Sequence, residues 1–511
     1  MNKKQSFFSI AFYLTGASIL AKVLGFFRDI LISSVYGLSD RTDAFYLAMS
    51  IPTMILGVFT SAADSAVIPQ YNRILTTDKR ERADKNFSNI INVLLLVGSI
   101  ITVFIYFYPR DIIKICAPGF NQEQIQYSVF YLRIFGITGV LHMLYCFYSA
   151  YNTQYQNVVI RSILLIVTNL VVIIALLIYP DKQLLTMSLA YLFGGVISAI
   201  LPIFTSYKLG YKHRWTLDIK NPDFIAFFKN FLPIMGVALI ADLNLFVDKF
   251  LASNFGSGSV TALNYSSKLT MIFDGMIVIG LGVSILPYFS KLIIMGKEKQ
   301  LNNTITIIIN FLFIVLVPIV FFSIMNSDVI ISCVYGRGSF TEENVRLVSY
   351  IFSIYGVQIL TVPLETFLVR IFQCFENTRI PLFINIIGIL INVLLSIILS
   401  KFIGLAGLAV GTSIATIFNV CFLYIYLTNK YKLVKPKKNI IMLVKISISL
   451  VIMYLLQINF GMYFYISNIW IKIIFKFLFT ITIFIILLKL LRVKEINMAF
   501  EYMKEKIISH K

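Results

Sequence analysis

The chain has 511 residues, 58% of them hydrophobic and 13% charged, with a mean hydropathy of +0.85 and a formal net charge of +20. A soluble chain of this length would divide into domains of roughly 100–200 residues with polar surfaces, and no polar stretch of that size occurs. Nucleic-acid binding is excluded on similar grounds, because no extended basic, aromatic-bearing surface lies outside the apolar runs.

The amino terminus, Met1-Asn2-Lys3-Lys4, is basic and precedes an apolar run. No small-residue cleavage site interrupts that run before Lys22, so it reads as an uncleaved first span. Apolar runs near the ~20 residues that a bilayer requires then recur to the end of the chain. About 14 are expected, at 7–35, 43–69, 87–109, 125–151, 160–180, 184–206, 224–254, 261–290, 304–324, 345–373, 381–402, 403–428, 440–458 and 469–490. The fold class is therefore an all-α polytopic membrane protein. Two pseudo-symmetric six-helix lobes are expected at 1–206 and 224–428, joined by a cytoplasmic linker at 207–223. Residues 429–511 would hold the last helix pair and a cytoplasmic tail. Several runs exceed the bilayer thickness and must tilt or kink, with Pro52 and Pro363 as kink sites.

Charge orients the spans. Arg73, Lys79, Arg80, Arg82 and Lys85 follow span two; Lys208, Lys212, Arg214 and Lys220 follow span six; Lys430, Lys432, Lys435, Lys437 and Lys438 follow span twelve. Loops of the opposite parity hold few cations: Arg41, Arg110, Lys114, Lys182, Arg337 and Lys401. Cations collect on the cytoplasmic side, which places both termini there in a bacterial cytoplasmic membrane. The five cysteines show no CxxC and no metal-ligand spacing. Cys116 and Cys333 fall in expected outer loops, where either a disulfide or two ordinary buried thiols would fit.

An internal repeat appears at an offset of 219 residues: Phe27, Asp29, Ser34, Gly37, Thr42, Tyr46 and Ser65 match Phe246, Asp248, Ser253, Gly256, Thr261, Tyr265 and Ser284. An even number of spans per copy gives both copies the same orientation, related by an axis along the membrane normal. Such a pair leaves a cavity that can open alternately to each side.

Ionisable residues inside spans are costly and mark function by default. They are Lys22, Arg28, Asp29, Asp64, Arg133, Asp242, Asp248, Lys249, Lys268, Asp274, Glu365 and Arg370. Lys22 and Asp29, seven apart, share a helix face, and Asp242 and Lys249 repeat that spacing. For any one of these, local pairing or snorkelling is the plain alternative; clustering in the first helix pair of each lobe favours a polar cavity. Lys22, Arg28 and Lys268 suit phosphate oxygens, so a lipid-linked diphosphate is a reasonable ligand. No GxxxxGK[ST] loop is present to use ATP. His142, the one histidine in an expected span, reads as a packed residue, and no nucleophile–base arrangement can be argued, so the chain is expected to be a transporter without catalytic residues. Energy would come from a sodium or proton gradient, with Asp64, Asp242 and Asp248 as coupling carboxylates, or from the membrane potential. No cofactor is expected.

Lys22-Val-Leu-Gly-Phe-Phe-Arg-Asp29 followed by Thr42-Asp43-Ala44-Phe45 resembles the opening of the MurJ (MviN) lipid II flippase family of the MOP exporter superfamily. Ala117-Pro118-Gly119-Phe120, Val247-Asp248-Lys249, Tyr335-Gly336-Arg337-Gly338-Ser339-Phe340 and Gly404-Leu405-Ala406-Gly407 extend the resemblance over nearly the whole chain. It implies 14 helices, with the final pair forming a lipid-facing groove, and export of an undecaprenyl-diphosphate-linked peptidoglycan precursor. Arg28 and Asp43 match the family's cavity residues directly, while Lys22 and Lys268 stand where it usually has Arg. Asp248, Asn392 and Thr412 resemble the sodium site of some members, with Ser396 where such members carry a carboxylate. The family's second helix usually carries an Arg pair and then a Glu, where this chain has Leu56, Gly57 and Ser61, with Asp64 one turn later.

The resemblance thus implies a flippase of lipid II or a related lipid-linked glycan, with membrane lipids and envelope-synthesis proteins as neighbours. Alternatives are a flippase of capsular or exopolysaccharide repeat units, an ion-coupled drug exporter, and a non-transporting scaffold for envelope assembly.

Overall fold

The computed structural model describes residues 3–155, 157, 160–180, 184–433, 436–461, 468–493 and 495–496. Lys182, Lys435 and the tail beyond 496 lie outside the described residues, as do the side chains of Ser61, Asp64 and Asp274. The described residues contain no strand and form eighteen α-helices with one π-helical and one 3-10 turn. The expected apolar runs fall in helical segments, and among the described residues ten helical stretches are long and apolar enough to cross a membrane, fewer than the fourteen spans expected. Their outer faces are rows of exposed apolar side chains, such as Ile100, Val103, Phe104 and Phe107, or Leu390, Leu394 and Ile397. Patches of that extent would drive association in water, whereas acyl chains solvate them. The protein is an all-α integral membrane protein.

The chain forms two compact units. Unit 1 comprises Met1–Thr261 with Arg337–Thr341. It contains α1 (Lys3–Tyr36), α2 (Asp40–Ala62), a π turn (Ala63–Val67), α3 (Ile68–Thr77), α4 (Arg80–Phe107), α5 (Pro109–Cys116), α6 (Gln122–Gln154), α7 (Ile160–Ile178), α8 (Leu185–Lys208), α9 (Pro222–Ala252) and the first turn of α10 (Ser259–Ile294). Reciprocal caps start two of these helices: Ser39 with Thr42 at α2, and Asn121 with Gln124 at α6. The expected span 43–69 is interrupted by the π turn. Pro69 lacks an N–H and its ring presses on the carbonyl of Ser65, four residues back, so the turn widens to accommodate it.

One end of unit 1 is closed by an aromatic core. Tyr71, Phe87, Tyr151 and Tyr211 are buried, with neighbouring ring centroids 5.1–5.5 Å apart for Tyr71–Tyr151, Phe87–Tyr151, Phe87–Tyr211 and Tyr151–Tyr211. Their hydroxyls are satisfied: Tyr71 and Tyr151 donate to Asp84 Oδ1 at 2.7 and 3.1 Å, and Tyr211 shares a 2.7 Å hydrogen bond with Ser88. The segment 209–221 lies along α4. Asn89 Nδ2 donates to the Asp218 carbonyl at 2.8 Å while the Asp218 N–H donates to Asn89 Oδ1 at 2.7 Å. Asn92 Nδ2 serves the Arg214 and Thr216 carbonyls at 2.9 and 3.1 Å. Arg82 bridges Asp78 at 2.8 Å and Asp223, in the first turn of α9, at 2.9 Å.

Two glycines of the sequence motifs are required by close approach. Gly338, at φ +59°, lies against the Ser34 carbonyl and lets Ser339 donate from its N–H to Ser34 O at 2.7 Å and from its hydroxyl to Val35 O at 2.8 Å. These are carbonyls that the end of α1 leaves without intrahelical partners. At Gly119 any side chain would run into the backbone of Ser253 and Asn254.

Unit 2 comprises Ala262–Gly336 and Glu342–Lys511. It contains the rest of α10, α11 (Glu298–Met325), α12 (Ser327–Val334), α13 (Glu342–Tyr355), α14 (Gln358–Cys374), α15 (Arg379–Ile403), α16 (Ala406–Tyr431), α17 (Pro436–Gly461) and α18 (Ile469–Leu490). The expected span 345–373 divides into α13 and α14 at Gly356–Val357. Its core joins Ile305, Leu312 and Leu316 of α11 to Leu368 and Ile371 of α14, Leu427 of α16, Met453 of α17 and Phe484 of α18. Gln457 and Lys476 donate to Asn326 Oδ1 at 3.3 and 3.0 Å, tying the last helix pair to the α11–α12 turn.

Candidate functional site

The sequence marks Arg28 as a cavity residue, and unit 1 holds it in one. Arg28 lies on α1 about two turns before the helix ends, lining a cavity of about 270 Å³. α2 contributes Pro52, Thr53, Leu56 and Gly57; α6 contributes Phe135, Thr138, Gly139 and His142; α7 contributes Thr168 and Asn169; α8 contributes Tyr191 and Gly195. The guanidinium is fixed on three sides. Nε and Nη2 donate to Asp29 Oδ1 at 3.0 and 2.7 Å, and Nη1 donates to Asn169 Oδ1 at 2.8 Å. Asn169 is held in turn by donating from Nδ2 to the Ala21 carbonyl at 3.1 Å. The guanidinium carbon also lies 5.6 Å from the centroid of the Tyr191 ring, within cation–π range.

Leu56 and Gly57 both line this cavity. Leu56 is buried and seated where Gly139 carries no side chain. A Cβ at Gly57 would lie 3.8 Å from Asp242 Oδ2. Asp242 and Lys249 of α9 line a smaller cavity of about 100 Å³ with Ser50, Thr53 and Phe246, so the seven-residue spacing read from the sequence does bring them together.

The other expected residues are distributed as follows. Lys22 is exposed on α1 and does not line the Arg28 cavity. Asp43 is fully buried, and its Oδ1 accepts from the Thr261 N–H at 2.7 Å and from the Thr261 hydroxyl at 2.6 Å, fixing the first turn of α10. Asp64 belongs to the π turn, and π-helical turns are frequent at functional positions. Asp248 is buried on α9, and Lys268 is half-buried on α10. Asn392 and Thr412 of unit 2 are brought together: Asn392 Oδ1 accepts from Thr412 Oγ1 at 3.3 Å and from Ser396 Oγ at 3.0 Å. Glu365 accepts from Asn419 at 3.1 Å. Among the described residues no cluster of three or more His, Cys, Asp or Glu side chains could hold a metal ion.

Asn169, Thr168 and Tyr191 were not singled out by sequence reasoning. The available signal was Asn169, an amide that with Thr168 interrupts the apolar run 163–178, and intramembrane polar groups face protein rather than lipid. His142 stands in the cavity wall.

Known proteins share this architecture. The sequence model described as "Lipid II flippase MurJ" matches residues 32–488. The probable lipid II flippase MurJ of Buchnera aphidicola subsp. Baizongia pistaciae is 24% identical over 435 residues, covering 80% of each chain. That of Rickettsia prowazekii is 26% identical over 427 residues, covering 81% of this chain and 83% of its own. Among solved structures, a lipid II flippase MurJ in an inward closed conformation superposes with a TM-score of 0.79 at 23% identity, over 94% of this chain and 98% of that one. An inward-facing MATE family multidrug resistance transporter of the MOP superfamily superposes at 0.64 with 14% identity, over 81% and 96%. These likenesses establish a shared fold, and the match over residues 32–488 goes further: the chain belongs to the lipid II flippase MurJ family.

Proposed function

We propose that this protein is a flippase that carries undecaprenyl-diphosphate-linked peptidoglycan precursor, or a closely related lipid-linked glycan, from the cytoplasmic to the outer leaflet by alternating access. Family membership supports the reaction class, and the observation that carries it for this chain is a guanidinium held in a cavity walled by apolar helices. In this reading the protein is a transporter and not an enzyme. It sits in the bacterial cytoplasmic membrane with both termini inside, and its lobes divide as the sequence suggests, at 1–206 and 224–428. Lys22, Arg28, Asp43 and Lys268 serve the headgroup. Asp64, Asp242, Asp248, Asn392 and Thr412 are the ion-coupling set, with sodium at the last three, and a proton gradient or the membrane potential as the other sources of energy.

Leu56 and Gly57 in the cavity wall favour one second reading, a flippase for a capsular or exopolysaccharide repeat unit. Complementation of cells depleted of their own lipid II flippase separates the two, since only the first reading predicts rescue. Arg28→Ala is expected to abolish rescue, while Lys437→Ala, on the surface, keeps it. Rescue by both variants would instead mark a scaffold.

A further inference from the structure

The last helix pair of unit 2 carries two cations where charge bias disfavours them. Lys437, Lys438, Lys445, Lys489 and Arg492 gather at one end of α17 and α18, where Lys445 donates to the Arg492 carbonyl at 3.3 Å. Cations collect on the cytoplasmic side. Lys472 and Lys476 stand toward the opposite end, three and seven residues after α18 begins at Ile469. Four apart, they share a helix face, where like charges repel, and the amino-terminal end of the helix dipole adds to the positive potential. No Asp or Glu occurs between Pro436 and Val493 to offset them. Asp328, in the first turn of α12, which packs against α18, is exposed and forms an ion pair with neither. Lys476 is half-buried and donates one of its three N–H groups to Asn326 Oδ1 at 3.0 Å. Gln457 donates to the same oxygen at 3.3 Å. Asn326 is fully buried and neutral, so it fixes the ammonium without cancelling its charge.

Depth decides what kind of anion fits. At ~1.5 Å per residue Lys476 starts ~10 Å below the beginning of the helix. Helical side chains lean back toward the amino terminus, which brings both ammoniums up toward headgroup level. Beside them Ile471, Ile474, Phe475 and Leu478 are exposed and offer apolar surface to an acyl chain. A soluble anion would use the cations alone; a lipid uses both. We propose that Lys472 and Lys476 bind the phosphate of an anionic lipid in the outer leaflet. Placement in that leaflet rests on the orientation proposed above, with both termini inside, while the phosphate chemistry stands without it. Simple snorkelling to water would give no preference among lipids.

The chain has two tryptophans, Trp215 and Trp470. Replacing both by Phe and adding Phe475→Trp leaves one fluorophore on the same stretch of α18 as the two lysines. With the full chain in phosphatidylcholine vesicles, quenching by brominated phosphatidylglycerol is compared with quenching by brominated phosphatidylcholine. A cation near the membrane surface contributes about fivefold. The anionic lipid should therefore be preferred roughly twentyfold, about fivefold after either Lys472→Gln or Lys476→Gln, and not at all after both. Lys472→Arg with Lys476→Arg should keep the preference, which separates lost charge from a lost fold. Unbrominated undecaprenyl phosphate identifies the source of the phosphate. Relief of quenching at a small mole fraction marks the polyprenyl carrier, and relief only in proportion to its share of anionic lipid marks bulk phospholipid; either upholds the site. Equal quenching by the two brominated lipids, or a preference that survives both Gln substitutions, overturns the proposal. Both leaflets of the vesicle hold the same lipids, so orientation is read separately. In a chain whose native cysteines are replaced by Ser, Asp328→Cys should react with an impermeant maleimide from outside right-side-out vesicles. Reaction only after lysis overturns the outer-leaflet placement together with the orientation.

Discussion

Two of the arginines of unit 1 meet aspartates in opposite surroundings. Arg28 and Asp29 are chain neighbours inside the helix bundle, their side chains 15% and 7% exposed. Arg82, 56% exposed, reaches Asp78 within its own turn region and Asp223 at the start of α9. Water solvates most of the second pair, so its attraction is screened and its contribution is chiefly geometric. The first has no such solvent: each ion is the other's replacement for water, and removing either leaves an uncompensated charge. Similar distances, 2.7 and 2.8 Å, therefore describe different physics. Only the buried pair is suited to presenting oriented N–H groups to a bound molecule.

Removing one partner from each pair puts that contrast at risk. Asp29→Ala should have the largest effect, a loss of about 3–5 kcal/mol, read as a lowered Tm of the detergent-solubilised protein, with Asp29→Asn recovering part by keeping an acceptor. If Asp29→Ala costs no more than Arg82→Ala, the contrast fails. Asn89→Ala strips the Asp218 N–H and carbonyl of their partners and should cost about 1–3 kcal/mol, together with faster amide exchange at Asp218. A smaller effect is expected from pH. Partial burial holds the His213 imidazole below its ordinary range, so the folded protein prefers it neutral. Stability should be constant above the unfolded value of ~6.5 and decline as pH falls through the lowered folded value, and His213→Gln should flatten that decline in a Tm–pH series. Arg82→Ala should be smallest, with no resolved change in Tm at physiological salt. The Arg82 guanidinium holds the Asp78 carboxyl below the usual range. That contribution is complete above the unfolded carboxylate value, ~3.9, and vanishes only in acid.

Helices were legible because crossing a bilayer demands long apolar runs, and the run at 469–490 coincides with α18. Arg28 and Asp242 were legible because charge inside a span is expensive enough to need a reason. The break in α2 was not: a widened turn depends on how Pro69 meets the helix before it, and Asp64 read only as a charge inside the run 43–69. Nor was the wall of the Arg28 cavity, since Thr168 and Tyr191 acquire meaning only when α7 and α8 pack beside α1 and α2. The segment 207–223 looked like an ordinary polar connection. Its attachment to α4 runs through Asn89 and Asn92, two amides in the expected span 87–109 whose partners lie more than a hundred residues away in the chain.

That attachment bears on how force passes through unit 1. Left free, the stretch 209–221 could extend to ~43–47 Å and would behave as slack rope, letting α8 and α9 move independently. Stitched along α4 at Arg214, Thr216 and Asp218, it becomes a stiff bracket ending at Asn221, whose side chain caps α9. The first turn of α9 is held to the same bracket through Asp223 and Arg82, so the helix that carries Asp242 and Lys249 starts from a braced footing.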